Sequence, residues 1–142
     1  MPHHCKALII NCMDFRFHTA IREFLISLGL KDTYDLVSLA GVTKGLVEDD
    51  PSSTELILKQ VDGSLKLHNI SELYLIHHMD CGGYGGHSAF NSIEEEKERQ
   101  LTDLEAARTI ISRKFPDLEI KKILARIEEA DGKYNIDFER IQ

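Results

Sequence analysis

Short apolar runs alternate with stretches of helical periodicity along this chain. Lys6 to Asn11 (KALIIN) is almost wholly apolar and ends in the polar cluster Asn11-Cys12-Met13-Asp14, the pattern of a strand buried on both faces. Phe17, Ile21, Phe24, Leu25 and Leu28 then recur at helical spacing, and Gly29 stands where a C-terminal cap belongs. Tyr34 to Leu39 reads as a second strand, closed by the loop AGVTKG. Asp50-Pro51 predicts a helix start, with a carboxylate at the N-cap and Pro at the first helical position. That helix runs to about His68 and buries Ile57, Val61 and Leu65. Glu72 to His77 is a third strand, followed by the loop HMDCGGYGGH.

A polar stretch, Asn91 to Gln100, leads into a helix with Leu101, Leu104, Ala107, Ile111 and Phe115 on one face, stopped by Pro116. The run from Glu94 to Arg99 reads as a solvated face. Beyond it, two β-rich runs flank Asp131-Gly132, a dipeptide suited to a hairpin turn. With no repeat, linker or low-complexity tract, residues 1–142 read as a single domain. The order β-α-β-α-β-α-β-β predicts an α/β three-layer sandwich. Its central sheet is expected to be mostly parallel, with strand order 2-1-3-4-5 and an antiparallel last strand.

Composition narrows the function classes. The 142 residues are enough for one core without staples, and 42% hydrophobic residues exclude a disordered chain. With 17 Lys+Arg against 24 Asp+Glu, the net charge of −7 argues against nucleic acid as the main partner. No apolar run reaches membrane-spanning length, and MPHHCKALIIN lacks a basic leader with a cleavage site. The expectation is a cytoplasmic protein with neither membrane nor nucleic-acid partner. Three cysteines are too few for a disulfide scaffold and point to thiolates or metal ligands.

Two clusters lie at the carboxyl ends of predicted strands: Cys12-Met13-Asp14-Phe15-Arg16 after the first, and His78-Met79-Asp80-Cys81-Gly82-Gly83 after the third. In open α/β sheets, sites form outside those ends, where the strand order reverses. With the first and third strands as neighbours, Cys12, His78 and Cys81 converge on one crevice. Two thiolates and an imidazole are a catalytic zinc set that leaves the fourth position for water. Asp14 and Arg16 are alternate residues just beyond Cys12, so both can face the metal. A carboxylate held by a guanidinium is a fixed pair that can accept a hydrogen bond from the metal's water.

C-x-D-x-R after a first strand, then H-x-x-C-G-G after a later one, resembles the β-class carbonic anhydrases. The resemblance implies one zinc per chain on Cys12, His78 and Cys81, with Asp14 and Arg16 as the catalytic dyad. It also implies that a backbone N–H near Gly82 holds substrate, and that the reaction is reversible hydration of carbon dioxide to bicarbonate. SLAGVTK looks like the family's Arg-Asn-Ala-Gly-Asn segment but keeps only Ala40-Gly41. Phe15 stands where members commonly have Ser and Ser38-Leu39 where they have Arg-Asn, and with the first strand expected about six residues in, the family's N-terminal helical arm is expected to be absent.

Two other readings keep the same residues. Carbonyl sulfide or carbon disulfide could replace carbon dioxide, because hydroxide attack on carbon is the same step. A non-catalytic zinc-stabilised module would instead close the site with a fourth ligand, Asp14 being the nearest. Elsewhere, His77 is expected to pack or support the site, since adjacent strand residues point to opposite faces. His87 reads as a solvated loop histidine with a proton shuttle as the sharper alternative, and Asp80 as a loop carboxylate. His3 and His4 invite stray metal binding, and Cys5 has no second partner in the sequence. Phe15, Tyr84 and Phe90 form an exposed-looking apolar rim, which predicts a homodimer or higher homo-oligomer.

Overall fold

The computed structural model describes residues 3–142. Strand β1 (Ala7–Asn11) leads through a single 3-10 turn into α1 (His18–Ser27), then β2 (Tyr34–Ser38). A one-turn helix α2 (Lys44–Val47) and the long α3 (Pro51–His68) precede β3 (Glu72–His78). After two 3-10 turns come α4 (Ile93–Lys114), β4 (Glu119–Ala130) and β5 (Lys133–Ile141).

The five strands form one sheet ordered β2-β1-β3-β4-β5. β1 pairs in parallel with β2 and β3, β3 in parallel with β4, and β4 antiparallel with β5. The expected α/β fold and strand order are therefore observed. β1 and β3 are buried along their whole length, as continuous apolar runs in the middle of a parallel sheet must be. Alternation sends Leu8, Ile10, Leu73 and Leu75 to one face, where they meet Ile57 and Val61 of α3 and Leu104, Ala107 and Ile111 of α4. Ala7, Ile9, Tyr74 and Ile76 go to the other face, under Ile21 and Leu25 of α1.

Local chemistry sets the boundaries. Asp50 caps α3 by accepting from the Ser53 N–H, and Asn69 ends it in the left-handed conformation. Asp131 and Gly132 both take positive φ, 53° and 72°, as a two-residue hairpin turn requires. Two expectations change. The loop AGVTKG ends in α2 rather than continuing as coil. The polar stretch Asn91 to Gln100 is not a connector, because α4 begins at Ile93, where Ser92 accepts from the Glu95 N–H. The run from Glu94 to Arg99 is accordingly not wholly solvated: Glu96 is only 1% exposed. Among the described residues, no helix is long and apolar enough to cross a membrane.

Candidate metal centre

The chain-order switch lies between β1 and β3, with β2 beyond β1 and β4 beyond β3. Cys12 leaves β1 there, His78 ends β3, and Cys81 follows on the next loop. The three side chains are buried, and their ligand-type atoms lie within 4.8 Å of one another. The two sulfurs are 3.9 Å apart. Hydrogen bonding between them pulls the Cys12 thiol down to about 4, against the opposing effect of burial, and pushes that of Cys81 up. One proton shared by two buried sulfurs is a state that a cation readily replaces.

His78 gives the clearest sign of a missing partner. Its Nδ1 donates to the Met79 carbonyl at 2.7 Å, which leaves the lone pair on Nε2. That Nε2 is buried with no hydrogen-bond partner. A buried, unpartnered acceptor is costly, and one facing two thiols fits a thiophilic ion such as zinc. The ring is held by Phe17, whose centroid lies 4.2 Å away.

Asp14 and Arg16 form a fork-on-fork pair. Arg16 Nη2 donates to Asp14 Oδ2 at 2.7 Å and Nε to Oδ1 at 3.1 Å, while the Arg16 backbone N–H reaches Oδ1 at 3.0 Å. Burial opposes ionisation of Asp14, but the Arg16 bonds outweigh it and hold the carboxyl below its ordinary range. Asp14 Oδ2 stands 3.9 Å from His78 Nε2. A cavity of about 840 Å³ opens here, lined by Cys12, Asp14, Arg16, Ala40, Gly82 and Gly83 among others. Gly41 lies against Gly83, where an added Cβ would come within 2.6 Å of Gly41 backbone atoms, so that position admits only glycine.

Apart from His77, expected to pack behind the site, sequence reasoning missed the layer behind these residues. Asp80 is more than a loop carboxylate: its Oδ2 accepts from Arg16 Nη1 at 3.0 Å and its carbonyl from Nη2 at 2.9 Å. The Asp80 N–H donates to Glu96 at 2.6 Å, and His87, exposed on its loop as expected, also pairs with Glu96. His77 is wholly buried on the α4 face, between Thr43 at 2.6 Å and Gln100 at 2.7 Å. Burial drives its pKa down to about 4, so it packs as a neutral ring, on the face opposite His78. Tyr84 is buried too, donating to Asp103 at 2.6 Å, and drops out of the expected apolar rim. Met13 and Phe15 remain exposed at the cavity, at 60% and 77%.

A family model described as "Putative carbonic anhydrase" matches residues 2–129. The chain belongs to this family. It is also 31% identical to an uncharacterized protein of Rickettsia conorii over 130 residues, 89% of this chain and 70% of the relative. An uncharacterized protein of Rickettsia bellii is 30% identical over 130 residues, 89% of this chain and 79% of the relative. Every residue of the candidate site falls inside the span that carries the carbonic anhydrase family match.

Proposed function

We propose that this chain is a β-class carbonic anhydrase that uses zinc held by Cys12, His78 and Cys81 to interconvert carbon dioxide and bicarbonate. The observation that carries this reading is the unpartnered Nε2 of His78 beside two thiols and an arginine-held carboxylate. Zinc bound there supplies Lewis acidity that brings the ionisation of water toward neutral pH. Two thiolates cancel the ion's formal charge, so that acidification is weaker than at a three-histidine site.

The chain's own residues do the rest. Asp14 stays ionised and accepts a hydrogen bond from the attacking water, turning an oxygen lone pair toward the substrate carbon. Arg16 fixes that orientation and, by occupying both Asp14 oxygens, keeps the carboxylate from becoming a fourth ligand. This favours an open catalytic site over a closed structural module. Gly82 lines the cavity with open space where a side chain would stand, and its N–H is the donor proposed for a substrate oxygen. A second copy of the chain is the proposed cover for Met13 and Phe15 at the cavity mouth. Stopped-flow carbon dioxide hydration by zinc-loaded protein, compared with Cys81→Ser, tests the reading.

A further inference from the structure

A second group of unlike metal-ligating side chains lies at the other end of the sheet. Cys5 precedes β1, Asp35 lies in β2 and His68 is the last residue of α3. Their ligand-type atoms fall within 4.8 Å of one another, and all three side chains are partly exposed. The sequence offered Cys5 no partner because these positions are far apart along the chain. The parallel pairing of β1 with β2, together with the return of α3 into β3, brings them together. The length of β1 separates this cluster from Cys12, roughly 20 Å at the rise of an extended strand.

The cluster is anchored from several sides. The Cys5 backbone N–H donates to the His68 carbonyl at 3.0 Å, tying the two residues directly. Ser64 donates to Asp35 Oδ2 at 2.6 Å, and His68 Nδ1 contacts the same oxygen at 2.7 Å. A cavity of about 270 Å³, lined by Asp35, Ser64 and His68, gives access from solvent. His3 adds a further imidazole, its ring centroid 6.3 Å from that of His68.

We propose that Cys5, Asp35 and His68 form a second metal site that takes a divalent ion of borderline softness, with zinc as the best match. One sulfur, one imidazole nitrogen and one carboxylate oxygen are three ligand types that zinc accepts, and hard ions such as magnesium do not use thiolates. Thiolate and carboxylate together neutralise the ion, and the thiol proton passes to solvent on binding. Room for a fourth ligand remains on the open side. The site is independent of the Cys12–His78–Cys81 centre and stands or falls separately from the anhydrase reading.

The test is thiol protection in the full-length chain, stripped of metal and then titrated with zinc chloride. Iodoacetamide labelling is followed at each cysteine by peptide mass spectrometry. Zinc is expected to slow alkylation of Cys5 at least tenfold in the native chain, and His68→Gln and Asp35→Asn are each expected to remove that protection. Bound zinc should fall by one equivalent in Cys5→Ser. Cys12 and Cys81 report the other centre in the same digest, so the two readings fail separately. Equal Cys5 labelling with and without zinc overturns the proposal, as does protection that survives both His68→Gln and Asp35→Asn. Equal zinc content in the native chain and Cys5→Ser overturns it as well.

Discussion

Arg16 holds Asp80 twice, through its carboxylate at 3.0 Å and through its backbone carbonyl at 2.9 Å. The same guanidinium grips Asp14, so one side chain ties the segment leaving β1 to the loop that carries Cys81. Asp80 is therefore a positioning residue: it fixes Arg16, which in turn fixes Asp14. Its φ of 58° is left-handed, a conformation that Asp and Asn tolerate and Ala resists.

Replacing Asp80 with Asn keeps that backbone and one acceptor oxygen but removes the charge facing Arg16. Hydration is expected to fall about five- to thirtyfold with zinc retained, since a charge-assisted bond is worth about 1–2 kcal/mol more than a neutral one. Asp80→Ala is expected to lose more activity and to cost about 1 kcal/mol of stability from left-handed strain alone. Steady-state hydration, zinc content and denaturant melts of the two variants check this. Equal activity in all three proteins would remove Asp80 from the arrangement.

Arg16→Ala removes the guanidinium from Asp14, leaving the backbone N–H on Oδ1 but freeing Oδ2, which stands 3.9 Å from His78 Nε2, to compete for the metal. A loss of maximal rate of about a hundredfold or more is expected, with zinc still bound. Arg16→Lys is expected to rescue only part of the rate, because an ammonium cannot reproduce two parallel hydrogen bonds. Hydration kinetics beside metal analysis give the answer, and a full rescue by Lys would show that charge alone suffices.

His77 sets a pH dependence of stability. Burial lowers its pKa from 6.5 to about 4, so the unfolded chain takes up a proton in that window while the folded chain does not. Stability therefore falls as pH drops from about 6.5 towards 4, by up to about 3 kcal/mol. His77→Gln, compared with the native chain by denaturant unfolding of the metal-free proteins, is expected to flatten that slope. An unchanged slope would mean that other groups carry the acid sensitivity.

Much of this molecule could be read from its sequence, and the exceptions share one cause. The bounds of α3, the buried strands β1 and β3, and the Asp131-Gly132 hairpin follow from caps, continuous apolar runs and turn chemistry. Those signals are local. Cys12, His78 and Cys81 were also legible, because strand ends and loop spacing place them before any contact is known. The start of α4 was not, because its buried stripe runs through Glu96, Gln100 and Asp103 before reaching Leu104, Ala107 and Ile111. Those polar residues keep the helical spacing yet lack the apolar signature, since their partners are Asp80, His77 and Tyr84 in remote segments. Ser92 with Glu95 three residues on is the capping signal that marks where the helix begins. Asp35 and His68 beside Cys5 were hidden for the same reason: only tertiary pairing joins them.

Glu96→Gln probes that polar stripe. Glu96 accepts from the Asp80 N–H and pairs with His87 while almost fully buried, and an amide offers one acceptor where the carboxylate gave two. A destabilisation of about 1–3 kcal/mol is expected, with slower hydration through the displaced Asp80 loop. Thermal unfolding and kinetics of the variant measure both effects, and a variant as stable and active as the native chain would make the stripe incidental.

Carbon dioxide hydration measured by stopped flow against pH, on zinc-loaded native chain and on Cys81→Ser, bears most directly on the proposed activity. Hydration should rise between about pH 7 and 9 in the native chain, as expected for water acidified by a two-thiolate site. Cys81→Ser should lose that activity together with one equivalent of zinc. A native chain with zinc on Cys12, His78 and Cys81 that hydrates carbon dioxide no faster than buffer across that range would contradict the anhydrase reading.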